Sequence, residues 1–208
     1  MTDRRISPHL LTEIDQHRLA SLFDDHYEPS IPFDQPVARA AVAAVFRSGA
    51  GGTELLLIQR SHRDGDPWSG QMAFPGGRTD PTDPTPESTA VRETREEIGL
   101  ELHPDHSIGT LAELDGGRAT NRLVLVSAHG YWIDGERPSL TPNHEVADTV
   151  WVPLVQLADA DRHVDYYYPP ADAAFPGIQL NGDGQVLWGL TLRFVGQLFR
   201  RLNHPFLV

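Results

Sequence analysis

The chain has 208 residues, of which 39% are hydrophobic and 22% charged, and this composition is typical of one globular domain with a sizeable core. It contains no cysteine, which excludes disulfides, thiol catalysis and cysteine-ligated zinc. A net charge of −12 argues against nucleic-acid binding, and no apolar run approaches the roughly 18 residues that span a bilayer. With no apolar signal segment after Met1, we expect a cytoplasmic protein that binds neither nucleic acid nor membrane.

The N-terminal segment carries a helical pattern. Ser7-Pro8 is typical of a helix start, and apolar residues at helical spacing follow. They are Leu11, Ile14, Leu19, Leu22 and Phe23. Three prolines between Tyr27 and Pro36 then indicate a linker. We therefore predict an N-terminal helical arm over residues 1–34, packed on a main domain over residues 35–208.

The next part of the chain carries strand signals. Two apolar runs, Val37–Phe46 and Glu54–Gln59, flank the glycine-rich segment 48–52 and predict a β-hairpin. Met72–Pro75 is predicted as a short strand that enters a Gly-Gly turn. Further strands are predicted at Ser107–Leu114, Arg122–Trp132 and Asp148–Val152.

Two helices are predicted among these strands. Thr85 is a good N-cap, Pro86 suits the first helical position and Gly99 ends the helix, so the sequence predicts a helix over Pro86–Ile98. A last helix is predicted from about Val186 to Leu202, with its leucines on one face. Strands mixed with helices indicate a layered α/β domain.

The helix Pro86–Ile98 carries three crowded glutamates. Residues three and four apart share one helix face, so Glu93, Glu96 and Glu97 meet near the C-terminus, where the helix dipole disfavours negative charge. Two such charges ~4 Å apart repel by about 4 kcal/mol at an effective dielectric of roughly 20. A hard cation such as Mg²⁺ or Mn²⁺ would reverse that repulsion. A solvated acidic helix face is the alternative interpretation.

The glycine turn ahead of this helix completes a longer pattern. Phe74-Pro75-Gly76-Gly77 precedes an acidic loop, and the helix closes with Arg92-Glu93-Thr94-Arg95-Glu96-Glu97-Ile98-Gly99-Leu100. Residues 77–100 resemble the Nudix box, a glycine followed at a distance by R-E-(apolar)-x-E-E-x-G-(apolar). Thr94 and Asp83 stand where that box usually has an aliphatic residue and a Glu. The resemblance implies a Nudix-type α/β/α sandwich with a mixed central sheet.

The region around the box is similar to one branch of the family. The stretch between Gly77 and Arg92 is one residue longer than in the commonest box, as in coenzyme A pyrophosphatases. Leu56–Ser61, Gly70–Phe74 and Trp188–Thr191 also resemble that branch. The position four residues before Gly70, which is usually basic there, is Asp66 in this chain.

The resemblance implies that a metal-activated water attacks one phosphorus of a nucleoside-diphosphate derivative, with Mg²⁺ or Mn²⁺ as cofactor. Glu93 and Glu97 are the predicted metal ligands, and Glu96 is a further ligand or the base that orients the water. Arg92, four residues before Glu96, can pair with it and hold its orientation. Glu145 is the candidate for an additional base or ligand from a later loop, with a plain surface carboxylate as the alternative.

Four residues are predicted to contact the substrate. Arg60 and Arg78 suit phosphates because a guanidinium can bind two phosphate oxygens at once. Gly77 allows close approach of the backbone to a ligand or metal. Trp68 can stack on a base, although a hydrophobic plug is the simpler interpretation.

Three functions stay open at this point. The first is hydrolysis of coenzyme A or an acyl-CoA to a 3',5'-ADP-type and a 4'-phosphopantetheine-type product. The second is hydrolysis of ADP-ribose or an NADH-type dinucleotide, which the Asp66 departure favours. The third is a non-catalytic, nucleotide-sensing Nudix-like domain, which would have no need for the repulsive glutamates. The run Tyr166-Tyr167-Tyr168-Pro169-Pro170 fits either a cap over the ligand or a dimer contact, so a homodimer also stays open.

Overall fold

A mixed seven-stranded sheet forms the centre of the protein. The computed structural model describes residues 11–33, 35–66, 68–117, 123–181 and 184–206. The strands of this sheet are β1 (Ala38–Gly49), β2 (Gly52–Arg60), β3 (Met72–Ala73), β4 (Gly76–Arg78), β5 (Ser107–Asp115), β6 (Val124–Ile133) and β7 (Val146–Pro153). Strands β1 and β6 run parallel, whereas the other pairs are antiparallel. The predicted hairpin of β1 and β2 is present, with Phe46 opposite Leu55.

Helices cover both faces of this sheet. They are α1 (Gln16–Ala20), α2 (Pro86–Ile98), α3 (Leu154–Leu157) and α4 (Gly189–Arg201). Ala41 and Ala43 of β1 share a buried cluster with Ala90 of α2, and their small side chains let that helix approach closely. Helix α4 buries its apolar face in the cluster on the opposite side. The predicted α/β/α sandwich with a mixed sheet is therefore confirmed.

The predicted last helix began too early. Val186–Trp188 is strand β10, and helix α4 starts only at Gly189, which has a φ of 67°. Backbone with positive φ favours glycine and is incompatible with continuing a right-handed helix from the preceding residues. The leucine pattern of the two elements runs on without a break, because both bury their apolar residues in the same core.

A second, smaller sheet was not predicted from the sequence. It has the order β10-β9-β8, where β8 is His163–Tyr168 and β9 is Ala173–Gln179. The tyrosine run 166–168 thus forms a strand, and the ring of Trp188 lies 4.8 and 4.9 Å from those of Tyr168 and Tyr166 between centroids. The prolines around this run concealed the strands, since proline is depleted from sheet interiors.

The described part of the N-terminal segment contains a short helix that packs on the main core. Only Gln16–Ala20 forms an α-helix with described ends, because Asp15 caps it and accepts a hydrogen bond from the Arg18 N–H. The apolar residues of the stripe are nevertheless buried in the main core, among them Leu11, Ile14 and Leu19. The Ser7-Pro8 helix start lies outside the described residues, and the division after residue 34 remains a prediction. In the described part of the chain, no helix is long and apolar enough to cross a membrane.

Candidate active site

Helix α2 is held at its first turn by its own sequence. The Thr85 hydroxyl accepts from the Ser88 N–H at 3.1 Å, and the Ser88 hydroxyl accepts from the Thr85 N–H at 3.1 Å. This reciprocal capping box, with Pro86 next to it, fixes where the helix begins. Gly99 ends the helix with a φ of 68°, as predicted. The register of the glutamates relative to the sheet follows from these two fixed ends.

Arg92 on α2 donates hydrogen bonds to several carboxylates at once. Its guanidinium donates to Asp83 at 2.8 and 3.0 Å, to Glu93 at 3.0 Å and to Glu96 at 3.1 Å. It also donates to the Arg78 carbonyl at 3.1 Å. Hydrogen bonding from Arg92 lowers the pKa of Asp83 to about 2, so this carboxylate stays ionised. The predicted pairing of Arg92 with Glu96 is present, and Asp83 anchors Arg92 from the loop.

Glu97 and Glu93 lie against Gly76 and Gly77, which form strand β4 and not the predicted turn. The Gly76 N–H donates to Glu97 Oε2 at 2.8 Å, and a Cβ on Gly77 would stand 2.5 Å from Glu93 Cδ. Glu97 is only 3% exposed. Burial, opposed in part by the Gly76 N–H and reinforced by the Glu93 and Glu145 charges, raises the pKa of Glu97 to about 8. Burial likewise raises the pKa of Glu93.

The two remaining glutamates are more exposed. The Glu96 side chain is 50% exposed and points its carboxylate to Arg92. The Glu145 side chain is 36% exposed and pairs with Arg63 at 3.0 Å. Both lie close enough to Glu93 for their charges to raise its pKa further. Four carboxylates therefore share one electrostatic environment, in which Glu97 is buried, Glu93 is partly buried and the other two are more exposed.

A remote loop closes the C-terminal end of α2. The Asn143 N–H donates to the Glu97 carbonyl at 2.7 Å, and its side-chain amide donates to the Glu96 carbonyl at 2.9 Å. The Thr141 N–H donates to the Ile98 carbonyl at 2.7 Å. The Asn143 side-chain oxygen in turn accepts from the Glu145 N–H at 2.7 Å. The helix carbonyls are thus satisfied by the same loop that carries Glu145.

The donors fit a hard divalent cation by their chemistry. Carboxylate oxygens are the ligands that Mg²⁺ and Mn²⁺ prefer, and burial raises the pKa of both Glu93 and Glu97, so a bound cation would offset the cost of ionising them. Among the described residues, however, no three His, Asp or Glu side chains form a group that could hold a metal ion as now arranged. Arg92 and Arg63 now occupy oxygens of Glu93, Glu96 and Glu145. Within the described residues, Glu97 has no ion pair.

The predicted substrate residues are spread around this centre. Arg60 ends β2 and donates to Asp66 at 3.1 Å, while its charge is near enough to lower the pKa of Glu97. Arg78 ends β4 with an exposed side chain. Trp68 is 37% exposed in the loop after β2. Gly77 lies so close to Glu93 that a Cβ at this position would stand 2.5 Å from Glu93 Cδ.

Three residues that contact the site were not among the predicted site residues. Asp83 was noticed only as a departure from the usual box, yet it is the anchor of Arg92. Arg63 had no signal of its own, and both Arg63 and Asn143 act across long sequence separations. The Asn143-His144-Glu145 segment just before a strand was the one available hint for Asn143.

Residues 37–172, more than half of the chain, match the NUDIX domain. The chain therefore belongs to the Nudix hydrolase family. The NUDIX domain of Shewanella oneidensis NrtR, solved in complex with ADP ribose, aligns with a TM-score of 0.55 over 91% of this chain and 99% of that chain, at 18% identity. This likeness supports the fold alone. The predicted family and fold class are confirmed.

Two curated relatives match more closely in sequence. The human mitochondrial coenzyme A diphosphatase NUDT8 is 36% identical over 166 residues, which are 74% of this chain and 65% of that protein. An uncharacterized protein from Schizosaccharomyces pombe is 36% identical over 127 residues, or 60% of this chain and 34% of that protein. The chain therefore spans about a third of the yeast relative and just under two thirds of the human one.

Proposed function

We propose that this protein is a divalent-metal-dependent pyrophosphohydrolase that cleaves the phosphoanhydride of a nucleoside-diphosphate derivative. One observation carries the proposal, namely the buried Glu97 carboxylate with no ion-pair partner in the described structure, beside Glu93 and strand β4. Burying uncompensated carboxylate charge is costly, and a cation is the ligand that would offset the cost. The Nudix family membership gives the same chemistry.

The residues of the site divide into distinct tasks. Glu93 and Glu97 would hold the cation, with Glu96 as a further ligand or base and Glu145 as a second candidate base. When bound, a divalent cation lowers the pKa of water and neutralises charge on phosphate oxygens. Arg92 and Asp83 keep Glu93 and Glu96 in position. Water adds to one phosphorus, the bridging P–O bond breaks, and the other phosphate leaves on the bridging oxygen.

Coenzyme A or an acyl-CoA is the substrate we propose first. The support is the 36% identity to human NUDT8, a mitochondrial coenzyme A diphosphatase, and the branch-like segments around the box. The products would be a 3',5'-ADP-type and a 4'-phosphopantetheine-type compound. Arg60, Arg78, Gly77 and Trp68 remain our candidates for substrate contacts. The cofactor is proposed to be Mg²⁺ or Mn²⁺, and a cytoplasmic location stays a prediction.

ADP-ribose or an NADH-type dinucleotide is the second candidate. The observation in its favour is Asp66, which takes the place of a basic residue and pairs with Arg60 at 3.1 Å. Hydrogen bonds from the Trp68 N–H and from Arg60, working against burial, lower the pKa of Asp66, so the pair stays charged. This pairing reduces the positive charge available to the additional phosphate that distinguishes coenzyme A from ADP-ribose.

The decisive experiment is a hydrolysis assay with coenzyme A, an acyl-CoA, ADP-ribose and NADH, each with Mg²⁺ and with Mn²⁺. Products should be identified by mass spectrometry, with cleavage in ¹⁸O-labelled water to show which phosphorus is attacked. We expect the highest kcat/KM for coenzyme A or its acyl derivative. A preference for ADP-ribose would favour the second candidate. No metal-dependent turnover of any diphosphate, together with tight nucleotide binding, would instead support a sensor.

A further inference from the structure

The loop after β2 contacts the loop that carries Glu145 at two points. The Ser61 N–H donates to the Glu145 carbonyl at 2.8 Å, and Arg63 Nη2 lies 3.0 Å from Glu145 Oε1. The His144 Nε2 lies 3.9 Å from the same carboxylate oxygen, on a side chain that is 79% exposed. Among the described residues, Arg63 is the arginine that forms an ion pair with Glu145.

Arg63 is presented by a fixed backbone. The Ser69 hydroxyl accepts from the Arg63 N–H at 3.0 Å and donates to the Arg63 carbonyl at 2.9 Å. The Arg63 carbonyl also accepts from the Asp66 N–H at 3.2 Å. The Asp66 carboxylate binds Arg60 and the Trp68 N–H, which closes the loop on itself. A loop with these internal bonds holds the base of the Arg63 side chain in one place.

Glu145 requires such a cation for an electrostatic reason. Its carboxylate lies near enough to Glu93 and Glu97 for its negative charge to raise the pKa of both. Asn143 fixes the main chain of Glu145 but leaves its side chain free to turn away from the other two. Arg63 supplies the opposite charge that holds the Glu145 carboxylate where the structure places it.

We propose that Arg63 is a positioning residue for the hydrolysis reaction, acting through Glu145 without contact to the substrate. The proposal rests on the proposed function and adds to it a dependence of Glu145 on the loop after β2. Both side chains are more than a third exposed, so their pairing contributes little to folding stability. The effect of losing Arg63 should therefore fall on turnover and not on the fold.

A double-mutant cycle tests this proposal on the full-length protein with Mg²⁺ present. The variants are Arg63→Gln, Glu145→Gln and the combination, with kcat and KM measured on the best diphosphate substrate. Partners that orient functional groups are worth roughly tenfold or more in activity, so we expect Arg63→Gln to lower kcat roughly tenfold with KM unchanged. In the Glu145→Gln background, the same change should have no further effect. Arg63→Lys, which keeps the charge, should restore most of the loss.

Two further measurements separate positioning from other roles. Arg162→Gln is the matched control, because Arg162 forms a comparable surface pair with Asp159, at 3.5 Å and with 38% and 46% exposure. It should leave kcat unchanged. Thermal unfolding of Arg63→Gln should match the wild type, and Mn²⁺ titration of the substrate-free protein by calorimetry gives a readout independent of turnover. If Glu145 is a metal ligand, Mn²⁺ affinity should fall equally in the two single variants.

Several results would overturn the proposal. Multiplicative losses in the double variant, or a raised KM in Arg63→Gln, would mean that Arg63 contacts the substrate directly. A lowered unfolding temperature with proportional loss of activity would mean a structural role. An unchanged kcat in Glu145→Gln would show that Glu145, through which Arg63 is proposed to act, has no role in turnover. That last outcome leaves the proposed hydrolase intact, because the hydrolase itself is tested at Glu97 and by the substrate assay.

Discussion

The two ends of helix α2 are held in different ways. At its N-terminus, Thr85 and Ser88 cap each other, and both residues belong to the helix or its immediate neighbour. At its C-terminus, the carbonyls of Glu96, Glu97 and Ile98 are satisfied by a loop more than 40 residues away in sequence. The carboxylates cluster at the second end. A helix can therefore begin by local chemistry alone, whereas this site is completed by tertiary contacts.

The largest expected effect is at Glu97, the buried carboxylate near the C-terminal end of α2. Glu97→Gln should lower kcat by roughly a hundredfold or more, because the cation would lose a charged ligand. Unfolding in urea should show equal or greater stability, since the variant no longer buries an uncompensated carboxylate. Glu101→Gln, an exposed glutamate just beyond the helix, is the control. Wild-type turnover in Glu97→Gln would refute the metal assignment.

Substitutions at Gly76 and Gly77 of strand β4 separate effects on the site from effects on the fold. Gly77→Ala would push a methyl group into the Glu93 carboxylate, so we expect a loss of kcat of roughly tenfold or more with a near-normal melting temperature. Gly76→Ala meets the Ala41 carbonyl and has a φ of 147°, so it should destabilise the protein by several kcal/mol. Kinetics and calorimetry on the pair would test this. Equal destabilisation of both variants would contradict it.

A matched pair of cap variants compares the two helix ends directly. Asn143→Ala removes side-chain bonds to Glu96 and Glu145 and should cost about 1–2 kcal/mol in stability together with several-fold in kcat. Thr85→Ala removes the N-cap and should cost about 1 kcal/mol with no change in kcat. Chemical denaturation and steady-state kinetics measure the two quantities. A kcat loss in Thr85→Ala would show that the ends are not independent.

We also expect a pH dependence of stability that arises outside the carboxylate site. His129 is 5% exposed, its ring lies 3.1 Å from the Thr110 hydroxyl and 2.9 Å from that of Ser127, and burial lowers its pKa to about 4. Between pH 6.5 and 4 the unfolded state binds a proton that the folded state does not. Stability from this group is therefore full above pH 6.5 and declines as the pH falls towards 4.

Urea midpoints at several pH values between 7.5 and 4.5 would measure this effect. His129→Gln should show a shallower decline with acidification than the wild type, even if its stability at pH 7.5 is lower. The exposed His17→Gln serves as control and should follow the wild-type curve. A decline in His129→Gln as steep as in the wild type would assign the acid sensitivity to other groups.

The same contrast explains which features could be predicted from the sequence. Caps, glycine ends and the i, i+3 and i+4 spacing of Glu93, Glu96 and Glu97 are local, and they located helix α2 to the residue. The boundary between β10 and α4 was predicted wrongly, because both elements bury apolar residues in one core and periodicity alone did not separate them. The roles of Asn143 and Arg63 could not be found, since the pairings depend on how distant loops meet.

The remote loop at the end of α2 also bears on how the protein folds. Asn143 is 47 residues from Glu96, so their hydrogen bond requires a long segment, including β5 and β6, to be ordered first. We expect α2 to form early and the arrangement around Glu145 to form late. A nascent chain that ends near residue 140 would display the repelling glutamates without the loop that organises them. The protein would then become active only after the main sheet has folded completely.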